Sequence, residues 1–309
     1  MISPQTRVLV IKHGALGDFV LATGPFAAIR QAHIRDTVVL LTTREYADLA
    51  EGSAYFDDVW IDNRPSWLNL IGIQKLRRLL RGGHFTRVYD LQTSKRSNWY
   101  YRLMKGFRRP QWSGIAAGCS HPHSNPKRNL MHTLERQAEQ LSEIGFKKIP
   151  FPDLSWLVSS VERFDLPQNF ILIVPGSASH RLGKRWPKEN YIKLSQNLSN
   201  SDLGTVILGN SAEIQLADEI AFHTGGISLA GKTSFADLAT LSRSAIGAVG
   251  NDTGPMHIAA ICGCKSVVLF SNESNPTITA PRGPDVTVLQ KEKLADLSVN
   301  EVAAALGLR

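Results

Sequence analysis

Residues 7–18 read RVLVIKHGALGD, and this stretch decides the fold class. Its first half, Arg7–Lys12, is apolar and β-branched, which is typical of a buried strand. A glycine-containing turn follows and leads into a helical pattern over 17–32. The alternation continues with strand-like runs at 37–42, 58–61 and 87–91 and helical patterns at 44–51, 66–81 and 131–144. Strands that alternate with helices in this way predict a parallel sheet covered on both faces.

The pattern pauses once and then restarts. Residues 150–167 carry three prolines and no clear periodicity, so we expect the domain boundary there. Beyond it, strand-like runs at 170–174, 205–208, 246–249 and 266–270 alternate with helical patterns at 188–199, 211–222, 235–243 and 255–262. The sequence therefore predicts two doubly wound α/β domains, residues 1–155 and 168–309, joined by a linker at 156–167 and facing a central cleft.

Composition excludes several classes of protein. With 309 residues, 43% of them hydrophobic and 20% charged, the chain can bury two cores and is not disordered. No run approaches the roughly 18 apolar residues of a membrane span, and the start lacks the layout of a signal peptide. The three cysteines, Cys119, Cys262 and Cys264, lack the second pair that a zinc site needs. We expect reduced thiols, no metal site and a cytoplasmic location.

The net charge of +8 is unevenly distributed. Residues 1–150 carry a net +10 and residues 151–309 a net −2. Within the first half, residues 64–128 hold 14 basic residues and one acidic residue, Asp90. This basic band predicts a polyanionic partner, and by charge alone nucleic acid, an anionic membrane surface and a phosphorylated lipid all remain open.

The turn after the first strand ends in Asp18. It lacks the G-x-G-x-x-G pattern, which argues against a nicotinamide-dependent oxidoreductase. Asp18 falls at the start of the predicted helix, where a carboxylate either favours the positive helix end or serves as a general base.

A second polar cluster lies in the C-terminal half, where residues 250–257 read GNDTGPMH. Free amides at Thr253 and Gly254 would bind an anion at a helix N-terminus, within reach of His257. In the loop at 181–187, Lys184 either neutralises phosphate or is simply solvated, and Trp186 is expected to pack. Glu213, after a further strand, either accepts hydrogen bonds from a ribose or starts a helix.

Three stretches together resemble the lipopolysaccharide heptosyltransferases, glycosyltransferase family nine: VLVIKHGALGD, KRWP and GNDTGPMHIAA. The resemblance extends over essentially the whole chain and implies a GT-B fold, with two Rossmann-like domains. Residues 177–183 and 271–276 depart from the family pattern, which leaves the phosphate contacts of the first loop and the sugar specificity open. By this resemblance Asp18 is the catalytic base, and the donor ligands are Lys184, Asp252, Thr253, Gly254 and His257 for phosphate and Glu213 for ribose.

The resemblance also implies a reaction: inverting, metal-independent transfer of heptose from ADP-L-glycero-D-manno-heptose to the inner core of lipopolysaccharide, a lipid A–Kdo type acceptor, with no cofactor besides the donor. The enzyme would work peripherally at the cytoplasmic face of the inner membrane, without nucleic acid. The acceptor and membrane would meet the basic band, represented by Arg77, Arg78, Arg81, Arg108 and Arg109.

Two other functions fit the sequence. One is a GT-B glycosyltransferase that uses another nucleotide sugar or another glycan acceptor. The other, more remote, is a non-enzymatic RNA-binding protein in which Trp99, Tyr100 and Tyr101 interleave with the arginines of the basic band.

Overall fold

The chain divides into two units. The computed structural model describes residues 6–104, 106, 109–177 and 181–307, and its backbone contacts group Met1–Pro152 apart from Asp153–Arg309. The segment that begins the second unit packs against that unit. Arg243 donates to the carbonyl oxygen of Leu157 at 2.9 Å, and Arg163 pairs with Asp237 at 2.6 Å.

The first unit is a six-stranded parallel sheet flanked by helices. Its strand order is β3-β2-β1-β4-β5-β6. The strands are β1 (Arg7–Ile11), β2 (Thr37–Thr42), β3 (Asp58–Ile61), β4 (Arg87–Asp90), β5 (Gln111–Gly114) and β6 (His121–Pro122). The helices are α1 (Leu16–Leu21), α2 (Thr23–Ala32), α3 (Arg44–Glu51), α4 (Leu70–Gly82), α5 (Lys95–Leu103) and α6 (Thr133–Ser142).

The second unit repeats this architecture. Its six parallel strands follow the order β12-β11-β10-β7-β8-β9. The strands are β7 (Phe170–Val174), β8 (Gly204–Ile207), β9 (Ile227–Ser228), β10 (Gly247–Asn251), β11 (Ser266–Phe270) and β12 (Val286–Gln290). The helices are α7 (Lys188–Ser199), α8 (Ile214–Thr224), α9 (Phe235–Ser244), α10 (Gly254–Ile261), α11 (Pro276–Thr279) and α12 (Val299–Leu306).

The central strands explain why the alternation of strand and helix folds this way. Val8–Ile11 of β1 and all of β7 are buried. Because helices cover both faces of a parallel sheet, such strands are apolar at every position rather than at alternate ones. The strand β1 pairs with β2 on one side and β4 on the other, and β7 pairs with β8 and β10.

In each sheet, successive strands are first added on one side of the first strand and then on its other side. The switch points lie between β1 and β4 and between β7 and β10. Open α/β sheets bind ligands beyond the carboxyl ends of the strands at such points. The two polar turns, 12–18 after β1 and 251–257 after β10, therefore lie where the topology favours a site.

The structure corrects the helix predicted over 17–32, which is two helices that meet at Ala22. Pro25 causes the break, because it has no amide proton and its ring would clash with the carbonyl of Leu21 in a continuous helix. Among the helices of the described residues, none combines the length and apolar character needed to cross a bilayer.

Candidate active site

The turn after β1 holds Asp18 at the carboxyl edge of the first sheet. Gly14 makes the turn possible: its φ is +111°, and a Cβ there would lie 2.2 Å from the ring of Tyr46. Ala15 is the N-cap of α1, so Asp18 lies in the first helical turn without capping it through its side chain. The Asp18 side chain is half-buried, and one of its oxygens is engaged by a residue far away in sequence.

That residue is Thr133, the first residue of α6. The Thr133 hydroxyl donates to Asp18 Oδ1 at 3.2 Å and accepts a hydrogen bond from Arg136 Nη2 at 3.3 Å. A hydroxyl has one proton to donate, so this geometry fixes the direction of the chain from guanidinium to hydroxyl to carboxylate. One carboxylate oxygen is oriented, and the other can accept a proton from a bound hydroxyl group.

Buried charges surround the same turn. Burial lowers the pKa of Lys12, an effect partly opposed by the carboxylates of Asp18 and Asp90, and Lys12 Nζ lies 3.5 Å from the carbonyl oxygen of Leu91. Burial raises the pKa of Asp90, at the end of β4, to about 6, although Asp90 Oδ1 accepts from the amide of Thr93 at 2.9 Å. The switch point of the first unit therefore carries titratable groups with shifted pKa values, as catalytic sites commonly do.

A second network fixes the loop after β3 to this turn. His13 Nε2 lies 3.1 Å from Asp62 Oδ2, and the hydroxyl of Tyr100 donates to the same carboxylate oxygen. Burial raises the pKa of Asp62, but the hydrogen bonds from His13 and Tyr100 outweigh burial and leave the pKa below its usual value. Asp62 therefore stays ionised and joins β1, β3 and α5 at the carboxyl edge.

In the second unit, Lys184 and Asp252 form a close ion pair. Lys184 Nζ lies 2.6 Å from Asp252 Oδ2, and both side chains are largely buried. Asp252 directly follows β10, so the pair lies at the switch point. An ammonium group has three donors, and its bond to Asp252 leaves donors for a phosphate oxygen.

Asn251 holds the loops around this ion pair together. Its Oδ1 accepts from the amide of Trp186 and from the hydroxyl of Tyr191, both at 3.0 Å, and its Nδ2 donates to the carbonyl of Pro175 at 2.7 Å. The side chain is fully buried. The expectation that Trp186 packs is confirmed: it is buried, and its Nε1 donates to the carbonyl of Leu297 at 2.9 Å.

The residues at the start of α10 have the geometry of an anion site. Thr253 is the N-cap, Gly254 is the first helical residue, and Pro255 has no amide to leave unpaired. Thr253 Oγ1 is buried and makes no hydrogen bond to the described residues. His257 is buried one turn further into the helix. A hydroxyl and a helix N-terminal amide at one place favour binding of a phosphate group.

Glu213 has a structural task at the carboxyl end of β8. Its carboxylate accepts from the amide of Asn210 at 2.9 Å and completes a capping box. A Cβ on Gly176 would lie 1.8 Å from Glu213 Oε1, so only glycine fits beside this carboxylate. Glu213 thus lies next to the loop after β7, and its ribose contact stays a prediction.

The arginines of the basic band differ in their surroundings. Arg77, Arg78 and Arg81 are exposed on α4. Arg109 donates to the hydroxyl of Tyr101 at 2.6 Å and lies over its ring. Arg108 lies outside the described residues.

The aromatic residues of α5 do not form an RNA-binding surface. Tyr100 and Tyr101 are buried in the core of the first unit, and Trp99 is half-buried against it. Stacking of bases requires exposed rings, so the aromatic interleaving on which the RNA-binding interpretation depended is a core pattern.

Among the described residues, ligand atoms of His123, Glu139 and Glu143 lie within 4.8 Å of one another, as a metal site would require. Asn125 donates to Glu139 Oε1 at 2.6 Å, and His123 Nε2 lies 3.0 Å from the same oxygen, so hydrogen bonds alone account for much of this grouping. The cysteines are free thiols. Burial raises the pKa of Cys262 to about 11 and that of Cys264 to about 12.

Comparison with curated proteins finds relatives that match part of the chain. The curated lipooligosaccharide heptosyltransferase 2 of Haemophilus influenzae is 28% identical over 113 residues, which is 35% of this chain and 32% of the relative. The matched region thus spans about a third of the length of that relative.

Solved structures match over nearly the whole chain. The ADP-heptose lipopolysaccharide heptosyltransferase II of Escherichia coli has a TM-score of 0.80 at 20% identity and covers 98% of both chains. A glycosyl transferase family 9 protein from Veillonella parvula has a TM-score of 0.82 at 18% identity, covering 98% of this chain and 96% of that one. These matches establish the two-unit α/β fold of GT-B type.

The family model described as glycosyltransferase family 9 (heptosyltransferase) matches residues 73–304. This range runs from α4 of the first unit to α12 of the second and includes Lys184 and the cluster at 250–257. The chain therefore belongs to glycosyltransferase family 9, the heptosyltransferase family.

Proposed function

We propose that this protein transfers heptose from ADP-L-glycero-D-manno-heptose to the inner core of lipopolysaccharide, on a lipid A–Kdo type acceptor. The observation that carries the proposal is the pair of sites at equivalent switch points: an oriented carboxylate, Asp18, in one unit, and a buried ammonium beside a helix N-terminus, Lys184 and Gly254, in the other. The first is suited to remove a proton, and the second to bind a diphosphate.

The transfer itself needs one proton acceptor and one anion binder. The acceptor hydroxyl attacks the anomeric carbon of the heptose and gives its proton to Asp18. A carbon–oxygen bond forms on one face of the sugar while the bond to the β-phosphate oxygen breaks on the other, so the configuration inverts and ADP leaves. Lys184 and the amide of Gly254 stabilise the charge that develops on the diphosphate. In this mechanism they do the work of a metal ion, and no cofactor is needed besides the donor.

The donor residues have distinct tasks in this proposal. Lys184, Thr253, Gly254 and His257 contact phosphate, while Asp252 orients Lys184 through their 2.6 Å bond. Glu213 uses Oε2 in the capping box. Its other carboxylate oxygen accepts a hydrogen bond from a ribose hydroxyl. Because the acceptor is a lipid, the reaction takes place at a membrane surface, which we propose is the cytoplasmic face of the inner membrane.

The test is direct. Purified protein is incubated with heptose-free lipid A–Kdo acceptor and either ADP-heptose or a UDP-hexose, and the acceptor is analysed by mass spectrometry. We expect the acceptor to gain one heptose with ADP-heptose and no sugar with the UDP-hexose. Transfer from the UDP-hexose instead would replace it with the alternative of a GT-B enzyme that uses another nucleotide sugar, a question raised by the divergent loop at 271–276.

A further inference from the structure

Large apolar side chains are exposed side by side at the start of α4. Of the twelve that are exposed among the described residues, four fall within residues 67–71. Trp67 is 52% exposed, Leu68 92%, Leu70 74% and Ile71 70%. Single exposed apolar residues are common on protein surfaces, but a contiguous group indicates a surface that meets an apolar phase or a partner.

The rest of α4 adds positive charge to this group. The helix buries Leu76 and Leu80 in the core of the first unit, and its outward row places Ile71, Lys75 and Arg78 four and three residues apart, all exposed. Residues 63–89 contain six Lys or Arg and no Asp or Glu. Exposed apolar side chains beside basic ones suit an anionic lipid surface, because the apolar groups can enter the acyl boundary while the cations meet the headgroups.

The apolar group is held in place from below. The ring of Trp67 packs edge-on against Trp99 at 4.6 Å, and the guanidinium of Arg96 lies over Trp67 and donates to the carbonyl of Pro65 at 3.3 Å. Asn69 caps α4 by accepting from the amide of Gly72 at 2.8 Å. These contacts fix the ring of Trp67 and the backbone at the start of α4, so the segment that carries the exposed leucines loses little backbone entropy when a partner binds.

This surface lies on the same edge of the sheet as the candidate base. It follows β3 directly, and Asp62, the first residue after β3, contacts His13 in the turn that leads to Asp18. The amide of Arg64 donates to Asp62 Oδ1 at 2.8 Å and links the loop to the same carboxylate. A bilayer against residues 67–71 would thus meet the edge of the sheet at which an acceptor hydroxyl must reach Asp18.

We propose that Trp67, Leu68, Leu70 and Ile71 insert into an anionic bilayer while Lys75, Arg77 and Arg78 bind lipid phosphates. We call these seven residues the lipid-binding surface. The proposal rests on the proposed function in one respect, that the bound lipid surface also holds the acceptor. Charge favours this occupant over a second copy of the chain, because two copies of one basic face repel. Nucleic acid is disfavoured because it offers nothing apolar to Leu68 and Leu70.

The first experiment measures binding to vesicles without donor or acceptor. Wild-type protein is floated with phosphatidylglycerol–phosphatidylethanolamine vesicles and with phosphatidylcholine vesicles, at low and high salt. We expect binding to the anionic vesicles that weakens with salt. The double variant Leu68→Ser/Ile71→Ser loses at least tenfold in partitioning, and each of Lys75→Gln and Arg78→Gln loses about fivefold, the equivalent of about 1 kcal/mol per charge near the surface.

Matched controls remove equally exposed apolar groups elsewhere. Ile34 in the first unit is 73% exposed and Phe222 in the second is 85% exposed. The variants Ile34→Ser and Phe222→Ser should both bind vesicles as the wild type does. Equal unfolding temperatures verify that the variants fold. The proposal is overturned if wild-type protein ignores anionic vesicles, or if the Leu68→Ser/Ile71→Ser protein binds them normally. It is also overturned if that variant changes only the oligomeric state in ultracentrifugation, because the surface would then be a contact between copies.

A second experiment separates this inference from the proposed function. Turnover is compared on a vesicle-embedded acceptor and on a deacylated, water-soluble acceptor. The Leu68→Ser/Ile71→Ser variant should lose at least tenfold on vesicles and keep its turnover on the soluble acceptor, whereas Asp18→Asn loses both. Equal losses on both acceptors would refute a lipid-binding role. Vesicle binding without any heptose transfer would leave the lipid-binding surface standing and refute the proposed function.

Discussion

Replacing Asn251 by alanine should unfold the second unit at a markedly lower temperature. The change leaves the amide of Trp186, the hydroxyl of Tyr191 and the carbonyl of Pro175 buried without their partner. Each buried polar group that loses its hydrogen bond costs about 1–3 kcal/mol. Three such groups sum to roughly 3–9 kcal/mol, and we take the lower part of this range, about 3–5 kcal/mol, because the loops can relax and water can enter the space left by the amide. In a unit of this size each kcal/mol lowers Tm by about 2–4 °C, so we expect a decrease of about 10 °C.

The assay is thermal unfolding of the purified variant by calorimetry, with the KM for the donor as a second readout, because Asn251 also positions the loop that carries Lys184. Asn197→Ala, an exposed asparagine on α7, is the matched control and should leave Tm unchanged. Asn251→Asp keeps the volume but presents a carboxylate to the carbonyls of Pro175 and Gly176, and it should destabilise at least as much. A Tm within about 2 °C of wild type for Asn251→Ala, a change of less than about 1 kcal/mol, would refute the reasoning.

Three further predictions concern the charged and polar groups. Thr133→Val removes the hydroxyl that orients Asp18 and should lower kcat about tenfold with KM unchanged, because about one net hydrogen bond is lost. Thr133→Ser should restore the rate, and an unaltered kcat in Thr133→Val contradicts the positioning role. Lys184→Met should lower kcat/KM about 10²-fold or more, with the loss measured as weaker ADP binding too, and normal ADP affinity would exclude Lys184 from the phosphate site. Burial raises the pKa of Asp237, but hydrogen bonds led by that of Arg163 outweigh burial and lower it to about 2. Because the folded pKa lies below the unfolded value of about 3.9, the stabilisation is complete above about pH 5 and is lost as the pH falls toward 2. Acid unfolding curves should show this loss in wild type and not in Asp237→Asn.

The sequence carried much of the fold because its central strands are unambiguous. The runs at 37–42, 58–61 and 266–270 coincide with β2, β3 and β11. It missed β5, whose residues Gln111–Gly114 include no β-branched side chain, and β6 and β9, which are two residues long. It also missed β12, although the residues of this strand, Val286–Gln290, are largely apolar and β-branched. The two-residue strands are too short to show a periodicity, and only pairing with a neighbouring strand defines them.

The candidate site was visible only in part, for a physical reason. Asp18 and the cluster at 250–257 lie in turns that the sequence identifies, because each turn contains glycine and follows a predicted strand. Thr133 contacts Asp18 across 115 positions of sequence, and no local signal identifies it. Asn251 stands within the quoted cluster, yet its role as a buried link between loops depends on partners at 175, 186 and 191. Hydrogen bonds between residues far apart in sequence produce no periodic pattern, so the sequence alone does not predict them.

The exposed apolar group at 67–71 lies in a segment whose helix was predicted, but its exposure was not. The helical pattern over 66–81 predicts a helix, and in the structure that helix starts only at Leu70 because Asn69 caps it. Which apolar residues face the core and which face outward depends on how α4 lies on the sheet. Burial of Leu76 and Leu80 and exposure of Ile71 became known only from the packing.

The central claim is that Asp18 accepts the proton of the acceptor hydroxyl during heptose transfer. It is tested most directly by the single-turnover rate of Asp18→Asn on the soluble acceptor with saturating ADP-heptose, beside Asp48→Asn, an exposed carboxylate on α3, as control. The account predicts a rate lower by about 10²–10⁴ for Asp18→Asn, with unchanged ADP affinity and unfolding temperature, and a normal rate for Asp48→Asn. A rate for Asp18→Asn within a few fold of wild type would contradict it.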